Sequence, residues 1–374
     1  MLHDPMLLKH PVLLVAEPLN PGGLAVYTHS IMAGLANAKL RCSLITSSPP
    51  ASGILSNTEL ENVQVVDGLF WSIWRPFVFK RLVSWAGQQE PAIIHSLSAR
   101  TTQICSKLAS ALNLPFIVTV HHYQNRGGLH FDKRCQGFIA VSESIRENLV
   151  NDARLPRDMV RLIPAGISVP KELRARPASY HSGGTGYVPL VSSFGKLVKR
   201  KDFETFLRAA RIVIDKLGEN CSFVISGEGP EEFVLRKRAR ELRIDKQVTF
   251  CHANIAHDVL LRDTDVYVQC SHSEGFGTMV LQAMAHGVPV VATSTGGILS
   301  LIEDGETGFL IPVKSPDDLA ARILNLLTDP ELCQRLGESA RASAASKFDL
   351  GRMMSSTISL YEEAVTAGST GKRE

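Results

Sequence analysis

The chain has 374 residues, 44% apolar and 21% charged, with a net charge of +3. That suits about two soluble globular domains and gives no electrostatic reason for a nucleic-acid partner. Residues 1–170 carry 15 Lys and Arg against 11 Asp and Glu (+4), and residues 171–374 carry 25 against 26 (−1), too mild an asymmetry to define an acidic partner. Seven scattered cysteines without a C-x-x-C pair argue against a disulfide framework or a zinc site and for a reducing cytosol. No apolar run approaches the roughly 18 residues of a spanning helix. Pro5 and Pro11 interrupt the start before the first strand, so no signal peptide is expected. The expectation is a cytoplasmic protein, at most peripheral at the inner face of a membrane.

Val12 to Ala16 forms a first buried strand, followed by Asn20-Pro21-Gly22-Gly23 and a helix from Leu24 to Asn37. Strand, glycine loop and helix open a Rossmann-like unit, but neither G-x-G-x-x-G nor a P-loop is present. Further strands are predicted at Cys42 to Thr46, Val63 to Val66, Ile93 to Ser96, Phe116 to His121, Phe138 to Val141 and Val160 to Pro164. With helical patterns between them, they describe an α/β fold on a parallel sheet, whose ligands sit beyond the carboxyl ends of the strands. All three tryptophans fall in Phe70 to Trp85 with Arg75, Lys80 and Arg81. That stretch predicts a packed helix broken near Pro76, and also admits contact with a membrane surface. His121 and His122 end the strand that starts at Phe116, where a histidine is placed for a ligand.

Residues 171–187 mix charge, proline and a Ser-Gly-Gly run and predict an interdomain linker. It separates a first domain (1–170) from a second (188–349), with 350–374 as a C-terminal helix and tail. The second domain opens with a strand to Phe194, then four cations within Lys196 to Lys201. A charge run is usually a solvated face; between a buried strand and a helix it can also neutralise phosphate. A strand at Ser222 to Ser226 leads into Gly227-Glu228-Gly229-Pro230. Asp263-Thr264-Asp265 has the D-x-D form that can hold a metal on a nucleotide sugar. It ends a short helix before the Val266 to Cys270 strand, without a glycine loop, so no metal site is expected. Glu274 then precedes Gly275-Phe276-Gly277, a helix from Thr278 to His286, Gly287 as its C-terminal cap and a strand at Val288 to Thr293. Such a turn aims N–H groups and a positive helix end at an anion. Thr278, Gln282 and His286 share one polar face. Gly296-Gly297 predicts another helix cap, and helices follow at Pro316 to Leu327, Pro330 to Lys347 and Leu350 to Ala367.

The string from Ser271 to Pro312 resembles the signature of the retaining, nucleotide-sugar-dependent family-4 glycosyltransferases, whose GT-B fold has two facing Rossmann-like domains with a cleft between them. The resemblance covers nearly the whole chain and is strongest from Gly195 to Pro312. It implies that Glu274 contacts the donor sugar, that the turn of Gly275, Phe276 and Gly277 with Thr278 holds sugar and phosphate, and that residue 282 binds the ribose. In the family that position is glutamate; here it is Gln282, which keeps an acceptor oxygen but no charge. Gln282→Glu is therefore expected to preserve or tighten donor affinity. The resemblance also implies that Gly22 and Gly23 approach the donor phosphates and that Lys196 and Lys201 touch them. Lys196 stands for the family's arginine and lacks its fork. Thr119-Val120-His121 matches the strand end near the reacting sugar, which selects His121 over His122, and His95 matches a recurring structural position. Residues 164–168 (Pro-Ala-Gly-Ile-Ser) depart from the family's Asn-Gly-Ile-Asp, and Ser300 stands for a glutamate.

The implied function is retaining transfer of a sugar from a UDP- or GDP-sugar to a hydroxyl of a glycan, glycolipid or small molecule, in surface-polysaccharide or lipid-linked glycan synthesis. His121 and Glu274 would assist at the sugar, with no cofactor and no metal. Two alternatives stand beside it: a non-catalytic sugar-nucleotide-binding subunit, for which the departures are the case, and a GT-B sugar-nucleotide epimerase.

Overall fold

The computed structural model describes residues 10–19, 22–48, 62–72, 75–171, 187–218, 220–252 and 257–370. It divides into two units, one of residues 1–20, 24–166 and 350–374, the other of residues 21–23 and 167–349. The predicted linker lies outside the described residues for positions 172–186.

The first unit is built on a seven-stranded parallel sheet in the order β3-β2-β1-β4-β5-β6-β7. Its strands are β1 (Val12–Val15), β2 (Cys42–Thr46), β3 (Val63–Val65), β4 (Ile93–Ser96), β5 (Phe116–Val120), β6 (Cys135–Ala140) and β7 (Val160–Leu162). Helices α1 (Gly23–Asn37), α2 (Leu69–Ser72), α3 (Pro76–Gln88), α4 (Thr102–Leu112) and α5 (Glu143–Asn151) connect them. The central strands β1, β4 and β5 are buried along their whole length, as expected for strands covered on both faces. Pro76 ends nothing inside a helix. It opens α3 at the first helical position, where its missing N–H costs no hydrogen bond, and the predicted single broken helix is two.

The last helix, α12 (Leu350–Thr370), belongs to this first unit. Its anchor is Tyr361, fully buried, whose hydroxyl lies 2.7 Å from His95 Nδ1. The other ring nitrogen of His95 lies 2.8 Å from Thr119 Oγ1, which Tyr27 reaches at 3.1 Å. Each neutral partner can donate and accept, so every polar side-chain atom of the chain Tyr361–His95–Thr119–Tyr27 has a hydrogen-bond partner. Burial pushes His95 down to about 3, so it stays neutral, as this chain requires. Tyr361→Phe leaves one buried nitrogen without a partner and is expected to cost about 1–3 kcal/mol. Urea unfolding checks it; an unchanged midpoint would remove the anchor role.

The second unit has a six-stranded parallel sheet in the order β10-β9-β8-β11-β12-β13. Its strands are β8 (Leu190–Phe194), β9 (Ser222–Ser226), β10 (Val248–Cys251), β11 (Val266–Gln269), β12 (Val290–Thr293) and β13 (Phe309–Ile311). Helices α6 (Phe203–Leu217), α7 (Glu232–Glu241), α8 (His257–Asp263), α9 (Thr278–Ala285), α10 (Pro316–Thr328) and α11 (Pro330–Lys347) complete it. α6 turns Phe203, Phe206, Leu207, Ala210 and Val213 into the core, the 3.6-residue spacing of a helix laid on a sheet. The two crossings of the chain are tied within this unit, Ile167 pairing with Asp349 and its N–H donating to Phe348 O at 2.8 Å.

Asp263-Thr264-Asp265 has a structural job. The Asp265 carboxylate accepts the Tyr187 hydroxyl at 2.6 Å and the Leu190 N–H at 2.7 Å, tying the first strand of the unit to the turn before β11. Gly296-Gly297 opens a 3-10 turn, Gly296–Ser300, in place of the predicted helix.

Candidate active site

In the second unit the strand order reverses between β8 and β11. Loops leaving the carboxyl ends of two such strands diverge and leave a crevice, the usual ligand position in an open α/β sheet. Here the two loops are residues 195–202, after Phe194, and 270–277, after Gln269.

The loops are joined to one another. The His272 N–H donates to Arg200 O at 2.9 Å, and the Arg200 guanidinium donates to Ser273 O at 3.0 Å. Asp202, at φ 48°, caps α6 by accepting the Thr205 N–H at 3.3 Å, while its second oxygen lies 2.8 Å from His272 Nε2. The left-handed conformation is one that aspartate tolerates better than most residues. Lys201 then donates to Glu274 Oε2 at 2.6 Å.

Glu274 is buried, and so is nearly all of Lys201, whose side chain is 12% exposed. Burial alone pushes the Glu274 carboxyl up. The Lys201 ammonium, with Arg200 4.0 Å away and the Ser271 hydroxyl, more than offsets it and holds the group below its ordinary 4.5. A relay supports it from beneath: Tyr267 OH donates to Gln269 Oε1 at 2.9 Å, Gln269 Nε2 to Ser271 Oγ at 2.8 Å, and Ser271 Oγ to Glu274 Oε2 at 2.9 Å. Lys201 and Ser271 both bind Oε2. Among the described residues, Oε1 has only the more distant Arg200 beside it.

The turn after Glu274 is shaped by close backbone approach. Gly277 sits at φ 97° as the N-cap of α9, a conformation that favours glycine. Phe276 is buried edge-on against Phe348, with centroids 5.9 Å apart. Gly297 donates its N–H to Glu274 O at 2.9 Å, and a Cβ there would overlap the backbone of Gly275 and Phe276. The first N–H groups of α9, beginning at half-buried Thr278, have no intrahelical acceptors and carry the positive end of the helix dipole.

One turn along α9, Gln282 is 7% exposed and its Nε2 donates to Asp258 Oδ1 at 2.6 Å. Its Oε1 is buried without a hydrogen-bond partner among the described residues. Lys196 is exposed and makes no ion pair among the described residues. Gly22, with φ 151°, and Gly23, the first residue of α1, are grouped with the second unit.

In the first unit, His121 follows β5 and is half-buried, while His122 is exposed. His121 Nε2 donates to Leu97 O at 3.1 Å, so in the neutral ring Nδ1 is the bare acceptor. The ring meets the Tyr27 ring edge-on at 4.6 Å. Burial, then the neighbouring His122, pushes its pKa well below the ordinary 6.5.

The fold thus brings together Glu274, Lys201 and the glycine turn, which the sequence assigned to separate roles. It adds Arg200, Asp202, Gln269, Ser271 and Asp258, none of which sequence reasoning singled out. Only Arg200 carried a signal, as one of the four cations within Lys196 to Lys201 between a buried strand and a helix. Among the described residues, no group of three or more His, Cys, Asp or Glu is arranged to hold a metal ion, and no helix is long and apolar enough to cross a membrane.

Residues 21–170 match the family model described as Glycosyltransferase Family 4, and residues 186–343 the one described as Glycosyl transferases group 1. Alpha-D-kanosaminyltransferase of Streptomyces kanamyceticus is 28% identical over 240 residues, covering 63% of this chain and 62% of the relative. D-inositol 3-phosphate glycosyltransferase of Corynebacterium jeikeium is 32% identical over 228 residues, covering 58% and 54%. The chain therefore spans somewhat more than half the length of these two curated relatives. In fold it is similar to Anabaena HepE in complex with UDP and glucose, with a TM-score of 0.76 at 19% identity over 94% of this chain and 100% of that one. It is equally similar to sucrose-phosphate synthase of Thermosynechococcus elongatus, with a TM-score of 0.77 at 19% identity over 96% and 100%. With one family model on each half and a Rossmann-like parallel sheet in each, the chain belongs to glycosyltransferase family 4 and has the GT-B fold.

Proposed function

We propose that the protein is a hexosyltransferase-type enzyme that moves a sugar from a nucleoside diphosphate sugar to an acceptor hydroxyl with retention of anomeric configuration. The observation that carries this reading is the Lys201–Glu274 pair, which joins the two loops at the switch point of the second sheet. A carboxylate pinned by a lysine and held below its ordinary pKa is a poor proton donor and a good acceptor for sugar hydroxyls. That fits positioning of the donor sugar by Glu274 Oε1.

An ammonium group has three donors. Lys201 uses one on Glu274 and keeps two for phosphate oxygens. Charge growing on the leaving diphosphate would meet Lys201, Lys196 and the Thr278 end of α9, with Gly22 and Gly23 as close backbone contacts. Fixed donors of this kind stabilise the transition state more than the ground state. The cationic and N–H groups neutralise the diphosphate in this reading without a metal or cofactor. The leaving phosphate takes the acceptor's proton on the same face, and His121 assists through its bare Nδ1. UDP in the HepE complex supports a UDP-sugar as the first donor to test, with GDP-sugars second.

The acceptor side belongs to surface-polysaccharide or lipid-linked glycan synthesis in this reading. Phe77, 86% exposed on α3 beside exposed Lys80 and Arg81, supports peripheral membrane contact there. The test is a panel of UDP- and GDP-sugars with glycan and lipid-linked acceptors, following nucleoside diphosphate release and the anomeric configuration of the product by NMR. Turnover with an inverted product would contradict retention. Absence of turnover with every donor would contradict the activity.

A further inference from the structure

We propose that Asp258 is the charged half of a two-residue hydroxyl-binding site whose other half is Gln282, and that together they take a vicinal diol of the bound nucleotide sugar. This rests on the donor-site reading above.

Three observations lead to it. A carboxylate only accepts hydrogen bonds, so the Gln282 amide end facing Asp258, 2.6 Å away, has to be Nε2. That fixes the flip of the amide and leaves Oε1 as its free end. Oε1 is buried, on a side chain more than nine-tenths buried, and has neither solvent nor a partner among the described residues. A buried acceptor left this way is unfavourable, and a ligand hydroxyl would satisfy it.

Asp258 is also held in place. It is the second residue of α8, and the preceding His257 ring stacks on Phe194 at the end of β8, with centroids 5.0 Å apart and 10° between planes. His286 Nδ1 donates to Gln282 O at 2.9 Å, so its Nε2, 3.5 Å from Asp258 Oδ1, donates to that oxygen only in the protonated ring. Both contacts use Oδ1, and the Asp258 side chain is 60% exposed, so Oδ2 faces a ligand or water. Two acceptors on hydrogen-bonded neighbours, one charged and one neutral, suit two adjacent hydroxyls.

The arrangement reverses the expectation for Gln282→Glu. A glutamate there would set one carboxylate against another at hydrogen-bond distance, where like charges cannot both ionise without cost. The carboxylate in this chain is on α8, and the carboxamide on α9 is its partner.

The test is calorimetric titration of the purified full-length chain with UDP, GDP and ADP, with their 2′,3′-dideoxy counterparts, and with UDP-glucose. Wild type, Asp258→Asn, Gln282→Glu and the double variant are compared, with circular dichroism and thermal unfolding to confirm folding. If the diol is the ribose, wild type prefers the ribonucleotide by about tenfold or more, one bidentate charge-assisted contact's worth. Asp258→Asn then brings that preference to near one. If the diol is on the sugar, Asp258→Asn weakens UDP-glucose and leaves UDP unchanged. In both cases Gln282→Glu weakens binding by about tenfold, and the double variant, in which an asparagine N–H again faces a carboxylate, recovers most of it. Asp258→Asn without effect on any of these ligands overturns the proposal, as does Gln282→Glu binding as tightly as wild type. If wild type binds no nucleotide at all, the donor-site reading fails and this proposal fails with it. That outcome differs from wild-type binding that is indifferent to Asp258.

Discussion

Lys201→Ala is expected to be the most damaging single substitution, because it removes the proposed phosphate contact and strands a buried carboxylate at once. Lys201 and Glu274 are both shielded from solvent, at 12% and 8% side-chain exposure, so screening does little to soften the loss. Leaving one partner of a buried pair unpaired costs about 3–5 kcal/mol, and losing a preorganised donor at a developing negative charge lowers kcat by about 10²–10³. Stability to urea and kcat should fall together.

The pH dependence separates this cause from a general packing defect. In the wild type the Glu274 pKa is depressed below 4.5. The pair's contribution is therefore complete above the unfolded value, about 4.3, and is lost only as pH falls through the lower folded value. In the variant the upward push of burial loses its main opponent and the folded pKa rises. The folded variant then binds the proton more readily than the unfolded chain, so its stability increases as pH is lowered from 7 toward 5. The stability gap between wild type and variant should narrow over that interval. A gap of constant size would place the defect elsewhere.

Gly297→Ala is the second large effect, and it reaches the same carboxylate through the backbone. The added Cβ would overlap the Gly275 carbonyl and Phe276 Cα. Backbone cannot rotate aside as a side chain can, and Phe276 behind it is buried against Phe348. The turn has to move, breaking the Gly297 N–H to Glu274 O bond and displacing Glu274 from Lys201. Overpacking of this kind costs about 3 kcal/mol, the upper end of its usual range, and nucleotide affinity should drop at least about tenfold. Gly305→Ala is the companion control. A Cβ at Gly305 has open space around it, and only its φ of 79° is strained. It should lose about 1 kcal/mol of stability with nucleotide binding unchanged. Equal losses of binding in the two variants would contradict the role given to Gly297.

Much of this architecture was legible because its signals are local. The Gly275-Phe276-Gly277 turn, the Thr278 helix and the buried strands β1, β4, β5 and β9 each carry their own periodicity and punctuation. The misses have physical causes. β10 is fully buried only at Val248 and β13 is a three-residue strand, both at the edges of the sheet, so neither shows the continuous buried run of β1 and β4, and their pairing comes from β9 and β12. Gly296-Gly297 has the form of a helix cap, yet Gly297 is glycine because a neighbouring backbone passes beside it. The Lys199–Lys201 run has the composition of a solvated surface, and only the switch-point geometry turns Lys201 inward while Lys199 and Arg200 stay exposed. Asp258 lies 24 residues before Gln282 on a different helix, an acidic residue like many others until the fold sets the two side by side.

A calorimetric titration of wild type and Lys201→Ala with UDP, GDP and ADP, with and without magnesium, tests the donor site most directly. One nucleotide should bind the wild type with micromolar affinity and at least about tenfold more weakly to the variant. Binding that is the same in both proteins, or absent from the wild type under either condition, would contradict the donor site assigned to Lys201 and Glu274.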